Sequence, residues 1–381
     1  MKVLMISLDR TLLGEKVSGG DAIKRHQLYG SFCDELNIIV LSRNGFQKQQ
    51  LAQNVFVWPT NSTSKLFYVK DAFKIGRDIF KNNKFDLVVS QDPFLTGMAG
   101  LKLKNKFKVK LLVHWHGDFF SKEWLAQSFL NRIFIFLAKR IIKKADGLRV
   151  VSSGIQKKLL ARGVKKDKIR VIATPVDLSK FLTFEQVRLN QLEAKYRREI
   201  GQKIIMFVGR LEKEKNLFWF LEVFRMIKAK YGRLKFLIIG EGSLKQELER
   251  RVHQFEIDED VCLLGRIDFD DLTNYYRLAD LLVLPSLHES FGKVLVEAGA
   301  AGLAVVATAT TGSREIVVNE KTGFLVPVGN KKQMQEKILS LLKDDVLREQ
   351  FGEGARKWVK ENFDGDLNVK KIIKFWQELV F

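Results

Sequence analysis

Leu281-Leu282-Val283-Leu284 runs straight into Pro285-Ser286-Leu287-His288-Glu289-Ser290-Phe291-Gly292-Lys293-Val294-Leu295-Val296-Glu297-Ala298. The first four residues are continuously apolar, the pattern of a strand covered on both faces of a parallel sheet. A loop comes next, then a helix whose small and apolar residues mark it as buried. Glu289 stands before that helix and Glu297 about two turns inside it, with seven residues between them. Gly292 at the helix start lets a ligand approach backbone amides whose dipole favours an anion. An acid placed like Glu297, among apolar neighbours, is expensive unless hydrogen-bond donors meet it. A helix-cap acid at Glu289 and a structural ion pair at Glu297 account for the same residues without any ligand.

Working outward, the same strand-then-helix rhythm fills the chain. Strands are expected at Val3–Ser7, Asn37–Leu41, Val55–Trp58, Leu87–Ser90, Lys110–His114, Leu148–Ser152 and Ile169–Ile172 in the first half. The second half reads Lys203–Val208, Leu234–Ile239, Val261–Leu264, Leu281–Leu284, Ala304–Ala307 and Gly323–Val326. Amphipathic helices lie between several of them, Lys65–Asn82 and Ser128–Lys144 among others. Two such series in succession predict two doubly wound α/β domains. The joint is the charged, strand-free stretch Leu178–Gly201, and the last segment, Phe363–Phe381, is helical in pattern and free to fold back on the first domain.

In open α/β sheets ligands bind outside the carboxyl ends of the strands. Strand Lys203–Val208 ends in Gly209-Arg210-Leu211-Glu212-Lys213-Glu214-Lys215-Asn216. Gly209 permits a tight exit, Asn216 is placed to cap the next helix, and Arg210 and Lys215 are suited to phosphate: one as a fork, the other as a mobile point charge. A solvated charged loop is the plain alternative.

These features resemble the retaining glycosyltransferases of family 4, which have the GT-B fold. The resemblance rests on Gly209-Arg210-Leu211 with Lys215, and on the Glu289–Glu297 pair in Glu-Ser-Phe-Gly-Lys-Val-Leu-Val-Glu-Ala. Gly19-Gly20 resembles that family's glycine loop, His114-Trp115-His116-Gly117-Asp118 its histidine motif, and Val151-Ser152-Ser153 the next strand-to-helix step. Thr311–Ile316 and Lys321–Pro327 resemble its later signatures, so the likeness covers nearly the whole chain. Two departures stand out: Gly312-Ser313 replaces a common Gly-Gly pair, and Thr174-Pro175-Val176-Asp177 replaces Pro-Asn-Gly-hydrophobic-Asp.

The resemblance implies two Rossmann-like doubly wound parallel-sheet domains facing across a cleft. Residues 1–178, with a helix at 364–381 folding back, would form the acceptor-side domain, and 200–363 the nucleotide-sugar domain. It implies a nucleotide-diphosphate sugar donor, UDP- or GDP-linked, and a retaining hexosyl transfer to a lipid-linked or polysaccharide acceptor. Arg210 and Lys215 would neutralise the leaving diphosphate, Glu289 orient the sugar and His116 (favoured over His114) contact it. Gly19, Gly20, Gly209, Arg266, Phe291, Gly292 and Glu297 would bind the donor, Glu297 through the ribose. No metal or other cofactor is expected, because fixed cations do that work. The Asp-x-Asp triplets at Asp258–Asp260, Asp268–Asp270 and Asp364–Asp366 read as loop acids, Asp268 as a helix cap.

Composition sets the outer limits. With 381 residues, the chain exceeds one ordinary core. Its longest apolar run, Ile133–Ala138, falls far short of the roughly 18–20 residues of a membrane span. No cleavable leader is expected at Met1–Ile6, and two distant cysteines, Cys33 and Cys262, point to a reducing, cytoplasmic setting. Residues 1–180 hold 33 basic and 14 acidic side chains, +19, against 32 and 30, +2, in 181–381. So basic a half attracts polyanions, and with the aromatic-rich helices Lys65–Asn82 and Ser128–Lys144 it suggests peripheral docking on the anionic inner face of the cytoplasmic membrane. A lysine-rich surface serving solubility explains the charge alone. The rivals are a sugar-nucleotide epimerase on the same fold, a non-catalytic nucleotide-sugar binder, and a basic nucleic-acid-binding protein. No recognisable nucleic-acid module supports the last.

Overall fold

The computed structural model describes residues 1–15, 22–197 and 199–381. They form two compact units, Met1–Pro175 with Asp366–Phe381, and Val176–Gly365. Each is built on one sheet.

The first sheet holds β1 (Lys2–Ser7), β2 (Glu35–Val40), β3 (Gln49–Ala52), β4 (Val55–Pro59), β5 (Leu87–Ser90), β6 (Lys110–Trp115), β7 (Gly147–Val150) and β8 (Ile169–Val171). Its order is β3-β4-β2-β1-β5-β6-β7-β8, parallel throughout except for the β3–β4 pair. The second holds β9 (Lys203–Val208), β10 (Leu234–Ile239), β11 (Val261–Gly265), β12 (Leu281–Leu284), β13 (Val305–Thr308) and β14 (Gly323–Val326), in the order β11-β10-β9-β12-β13-β14. That is the 3-2-1-4-5-6 Rossmann order, and the strand order reverses between β9 and β12. Near-continuous apolar runs such as Ile204–Phe207 and Leu234–Ile239 are buried on both faces, each fully covered aliphatic or aromatic side chain contributing about 1.5–3 kcal/mol.

Thirteen of the strands stand within two residues of where the apolar runs place them. The fourteenth, β3, escaped because it is a polar antiparallel edge, Gln49-Gln50-Leu51-Ala52, with a bulge between Gln50 and Ala52. The stretch after residue 178 is no bare linker. It forms the helix Gln186–Tyr196, held to the helix Phe269–Leu278 by Arg188 on Asp271 (2.7 Å) and by the Tyr196 and Tyr275 rings, 6.4 Å apart. The final helix, Gly365–Val380, inserts Val369, Ile372, Phe375 and Trp376 into the core of the first sheet, where Trp376 meets Tyr29 at 5.4 Å between centroids. Gly147 makes room for it: a Cβ there would lie 2.8 Å from Leu379 Cδ1.

Candidate active site

The carboxyl ends of β9 and β12 carry the residues singled out from the sequence. The Nζ of Lys215 lies 2.5 Å from Glu289 Oε2, and the two side chains are only 13% and 15% exposed. The loops that carry them are knitted by backbone: Leu287 N–H donates to Glu214 O at 2.8 Å, and Gly312 N–H to Glu289 O at 2.8 Å. Gly312 also presses on the next turn, since a Cβ there would sit 2.5 Å from Phe291 N. Glu289 is therefore held as an ion-pair partner and is not a helix cap. The cap position of the helix Lys293–Ala301 belongs to Gly292, at φ +84°, a backbone conformation that glycine tolerates without strain.

Glu297 is buried and accepts a hydrogen bond from Tyr276 Oη at 2.9 Å, with Lys293 Nζ 3.4 Å from its other oxygen. The structural partners that its position demands are thus present. Two oxygens offer about four acceptor sites, so capacity for a ligand remains. Burial, then the negative charge of Glu297, hold the Tyr276 phenol well above its usual range, so it stays a donor. Arg210 stands apart from this group, 74% exposed and paired with Glu214 at 2.8 Å. Arg266 is exposed just past β11. Asn216 does not cap its helix through its side chain; it adopts φ +59° and donates instead to Pro285 O at 3.4 Å.

Two glycines missed in the sequence belong to the same rim. A Cβ on Gly240 would fall 1.9 Å from Gly209 O, and one on Gly242 2.4 Å from Leu211 O. The loops leaving β9 and β10 lie backbone against backbone, with Leu211 N–H on Glu241 O at 2.9 Å. The run Gly240-Glu241-Gly242 after an apolar strand was the available signal, by the same rule that found Gly209.

On the first unit, His114 ends buried in β6 and His116 stands half-buried just beyond it. Both reach Gln91 Oε1 at 3.1 Å, His114 through Nδ1 and His116 through Nε2. An amide oxygen only accepts, so His116 presents its Nε2–H there, which leaves its Nδ1 as a lone pair, while His114 Nδ1 stands between that oxygen and a guanidinium donor. Gln91 was not legible in the sequence as the shared partner of the two histidines. Behind them Arg149, fully buried, places Nη1 3.4 Å from His114 Nδ1 and donates to Ile172 O at 3.1 Å and Ala173 O at 2.7 Å. Burial first, and then the charge of Arg149, keep both imidazoles below their usual pKa, His116 down to about 3. Both stay neutral at physiological pH. Asp118 is buried and paired with Lys158. Gly19 and Gly20 lie outside the described residues.

The aspartate triplets are largely spoken for. Asp260 pairs with Lys228 at 2.6 Å, Asp270 with Lys180 at 2.5 Å, and Asp258 faces His253 at 3.3 Å. Asp268 stands at a cap position without making a side-chain cap bond.

Two Rossmann-like sheets on one chain, with cations and carboxylates gathered at the second one's switch point, define the GT-B class of glycosyltransferase. The profile of the glycosyl transferases group 1 matches residues 190–358, and that of glycosyltransferase family 4 matches residues 34–180. The chain belongs to the family 4 glycosyltransferases. An uncharacterised glycosyltransferase of Methanocaldococcus jannaschii is 27% identical over 382 residues, covering 100% of this chain and 99% of that protein. The capsular polysaccharide biosynthesis glycosyltransferase CapM of Staphylococcus aureus is 29% identical over 66% of this chain and 62% of its own length. Among solved structures, Anabaena HepE in complex with UDP-glucose superposes with a TM-score of 0.77 at 18% identity, over 99% of this chain and 100% of that one.

Proposed function

We propose that this glycosyltransferase moves a hexose from a UDP-sugar to a lipid-linked or polysaccharide acceptor, with retention of anomeric configuration and without a metal ion. The observation that carries the reading is the Lys215–Glu289 pair at the switch point of the second sheet. A UDP donor is favoured by the likeness to HepE, whose structure holds UDP-glucose. A glycan acceptor is favoured by the relation to CapM.

In this reading the donor diphosphate draws Lys215 away from Glu289 and recruits the exposed Arg210. Fixed cations then meet the negative charge that grows on the departing oxygen, where such groups lower the barrier most. The amides of Phe291 and Gly292 add donors at a helix start. Glu289, released, accepts from the sugar's hydroxyls, and Glu297, steadied by Tyr276, accepts from the ribose. The bond from the anomeric carbon to the diphosphate breaks, and the acceptor oxygen bonds on the face just vacated. The acceptor's proton passes to the departing phosphate.

The first unit, with most of the positive charge, would rest peripherally on the anionic inner face of the cytoplasmic membrane. Incubation with UDP-, GDP- and ADP-sugars, monitored by NMR, tests the reading: a UDP-sugar should bind and lose its sugar in the presence of EDTA. Conversion of the donor into its epimer without transfer would mean an epimerase instead. Activity abolished by EDTA and rescued by Mn²⁺ would overturn the Arg/Lys account.

A further inference from the structure

The outer face of the helix Phe129–Lys144 is divided along its length. At 100° per residue, Phe129, Ile133, Phe136, Arg140 and Lys143 fall on one stripe. The opposite stripe, Ala138, Ile141 and Ile142, is buried. Phe129 is 73% exposed and Phe136 67%, with Ile133 and Leu130 also open. The first half of the exposed stripe is therefore apolar and the second half basic.

Beside the basic half lies a groove of about 450 Å³, bounded by Lys139, Lys143, Arg162, Lys165 and Lys168, with Ile142 and Val164 as its apolar floor. No acid lines it. Lys168 Nζ donates to Ala145 O at 2.8 Å and Arg162 Nη1 to Lys158 O at 2.7 Å, both backbone carbonyls, while the Arg162 guanidinium lies 3.9 Å from the Phe120 ring centroid. Among the described residues no carboxylate pairs with Lys139, Lys143 or Lys165. The nearby acid, Asp167, accepts from the Lys168 N–H at 3.0 Å. Five cations around one concavity repel one another unless an anion sits among them.

We propose that this groove is a site for the phosphate headgroup of an anionic phospholipid, with Phe129, Ile133 and Phe136 entering the interface beside it. The inference rests on the membrane reading above and gives it an address. Charge complementarity names an anion. The exposed aromatic stripe on the same helix names the lipid as its source, since a soluble phosphate has no use for it. From Phe136 to Lys143 is seven residues, roughly 10 Å of helix, so both halves meet one surface when the helix lies flat. The helices Tyr68–Asn82 and Leu95–Phe107 pack on the same side of the sheet, and Leu66 and Phe67, at the head of the first of these, are also exposed.

Vesicle flotation of the full chain tests the site, using phosphatidylcholine with and without phosphatidylglycerol. The wild type should float only with the anionic lipid, and less at high salt, as the attraction acts over a Debye length of about 8 Å at physiological ionic strength. The triple variant Lys139→Gln, Lys143→Gln, Lys165→Gln should lower recovery at least tenfold. A control, Lys370→Gln, Lys371→Gln, Lys374→Gln, removes equal charge from the final helix and should retain most of it. Melting curves of both variants should match wild type, because the altered side chains are exposed. Phe136→Ser should weaken binding separately. Equal losses in the two triple variants would overturn the groove while leaving membrane docking intact. No flotation of the wild type would overturn both. Competition by glycerol phosphate, with Phe136→Ser inert, would make the ligand a soluble phosphate and overturn the lipid assignment.

Discussion

Lys215 and Glu289 neutralise one another across 2.5 Å, between loops that leave neighbouring strands of the second sheet. In the proposed mechanism the donor parts them, which gives each a separate signature. Lys215→Ala should lower kcat by about 10²–10³-fold, the usual cost of one electrostatic contact to a developing charge, and weaken donor binding too. Glu289→Ala should lower kcat with little change in donor affinity. Steady-state kinetics beside calorimetric donor titration check both, and normal turnover in Glu289→Ala would remove it from the mechanism.

Glu297 should behave differently. With the ribose as its partner, Glu297→Gln should raise KM by about tenfold, roughly one hydrogen bond to a charged group, and leave kcat near wild type. Tyr276→Phe strips a buried partner from the carboxylate and should destabilise the second unit by about 1–3 kcal/mol in urea unfolding. A Glu297→Gln enzyme that loses turnover and not affinity would reverse the assignment.

The two neutral imidazoles of the first unit make a pH prediction. Their folded pKa values lie below the unfolded value near 6.5, His116 at about 3. Between those limits the unfolded chain binds more protons, so stability is full above pH ~6.5 and declines as pH falls. The slope is up to about 1.4 kcal/mol per pH unit for an imidazole held wholly neutral. Urea midpoints should drop from pH 7 to pH 5, a window in which ordinary carboxylates barely titrate, and His114→Gln should flatten the drop. An unchanged midpoint across that window would contradict the burial of these groups.

Trp376 sits fully buried against Tyr29 in the core of the first sheet. Trp376→Ala should cost about 3–5 kcal/mol, the range for removing a buried aromatic. Truncation at residue 364 should be more damaging still. Thermal unfolding checks both, and a Trp376→Ala protein as stable as wild type would mean that the final helix is not part of that core.

How much of this was legible in the sequence depended on whether burial marks a residue. Parallel strands buried on both faces write themselves as apolar runs, so Lys203–Val208 and Leu281–Leu284 could be placed to the residue. The polar edge Gln49–Ala52 could not. Among site residues, Lys215, Glu289 and Glu297 were visible because an acid or a cation at a strand's carboxyl end is conspicuous. Gln91 and Tyr276 act through atoms that touch other side chains, Gln91 Oε1 on two histidines and Tyr276 Oη on Glu297, and nothing in their local sequence reports such partners. Gly240 was legible in principle, but its close approach to Gly209 is a fact of sheet geometry.

The central claim, retaining transfer at the Lys215–Glu289 site, is tested most directly by the configuration of the first product. The protein would be incubated with a UDP-α-hexose in EDTA, with water as the acceptor, and the anomeric proton tracked by NMR before mutarotation sets in. The account predicts release of UDP with the α-anomer formed first, and slower release by Glu289→Ala. First formation of the β-anomer would contradict it.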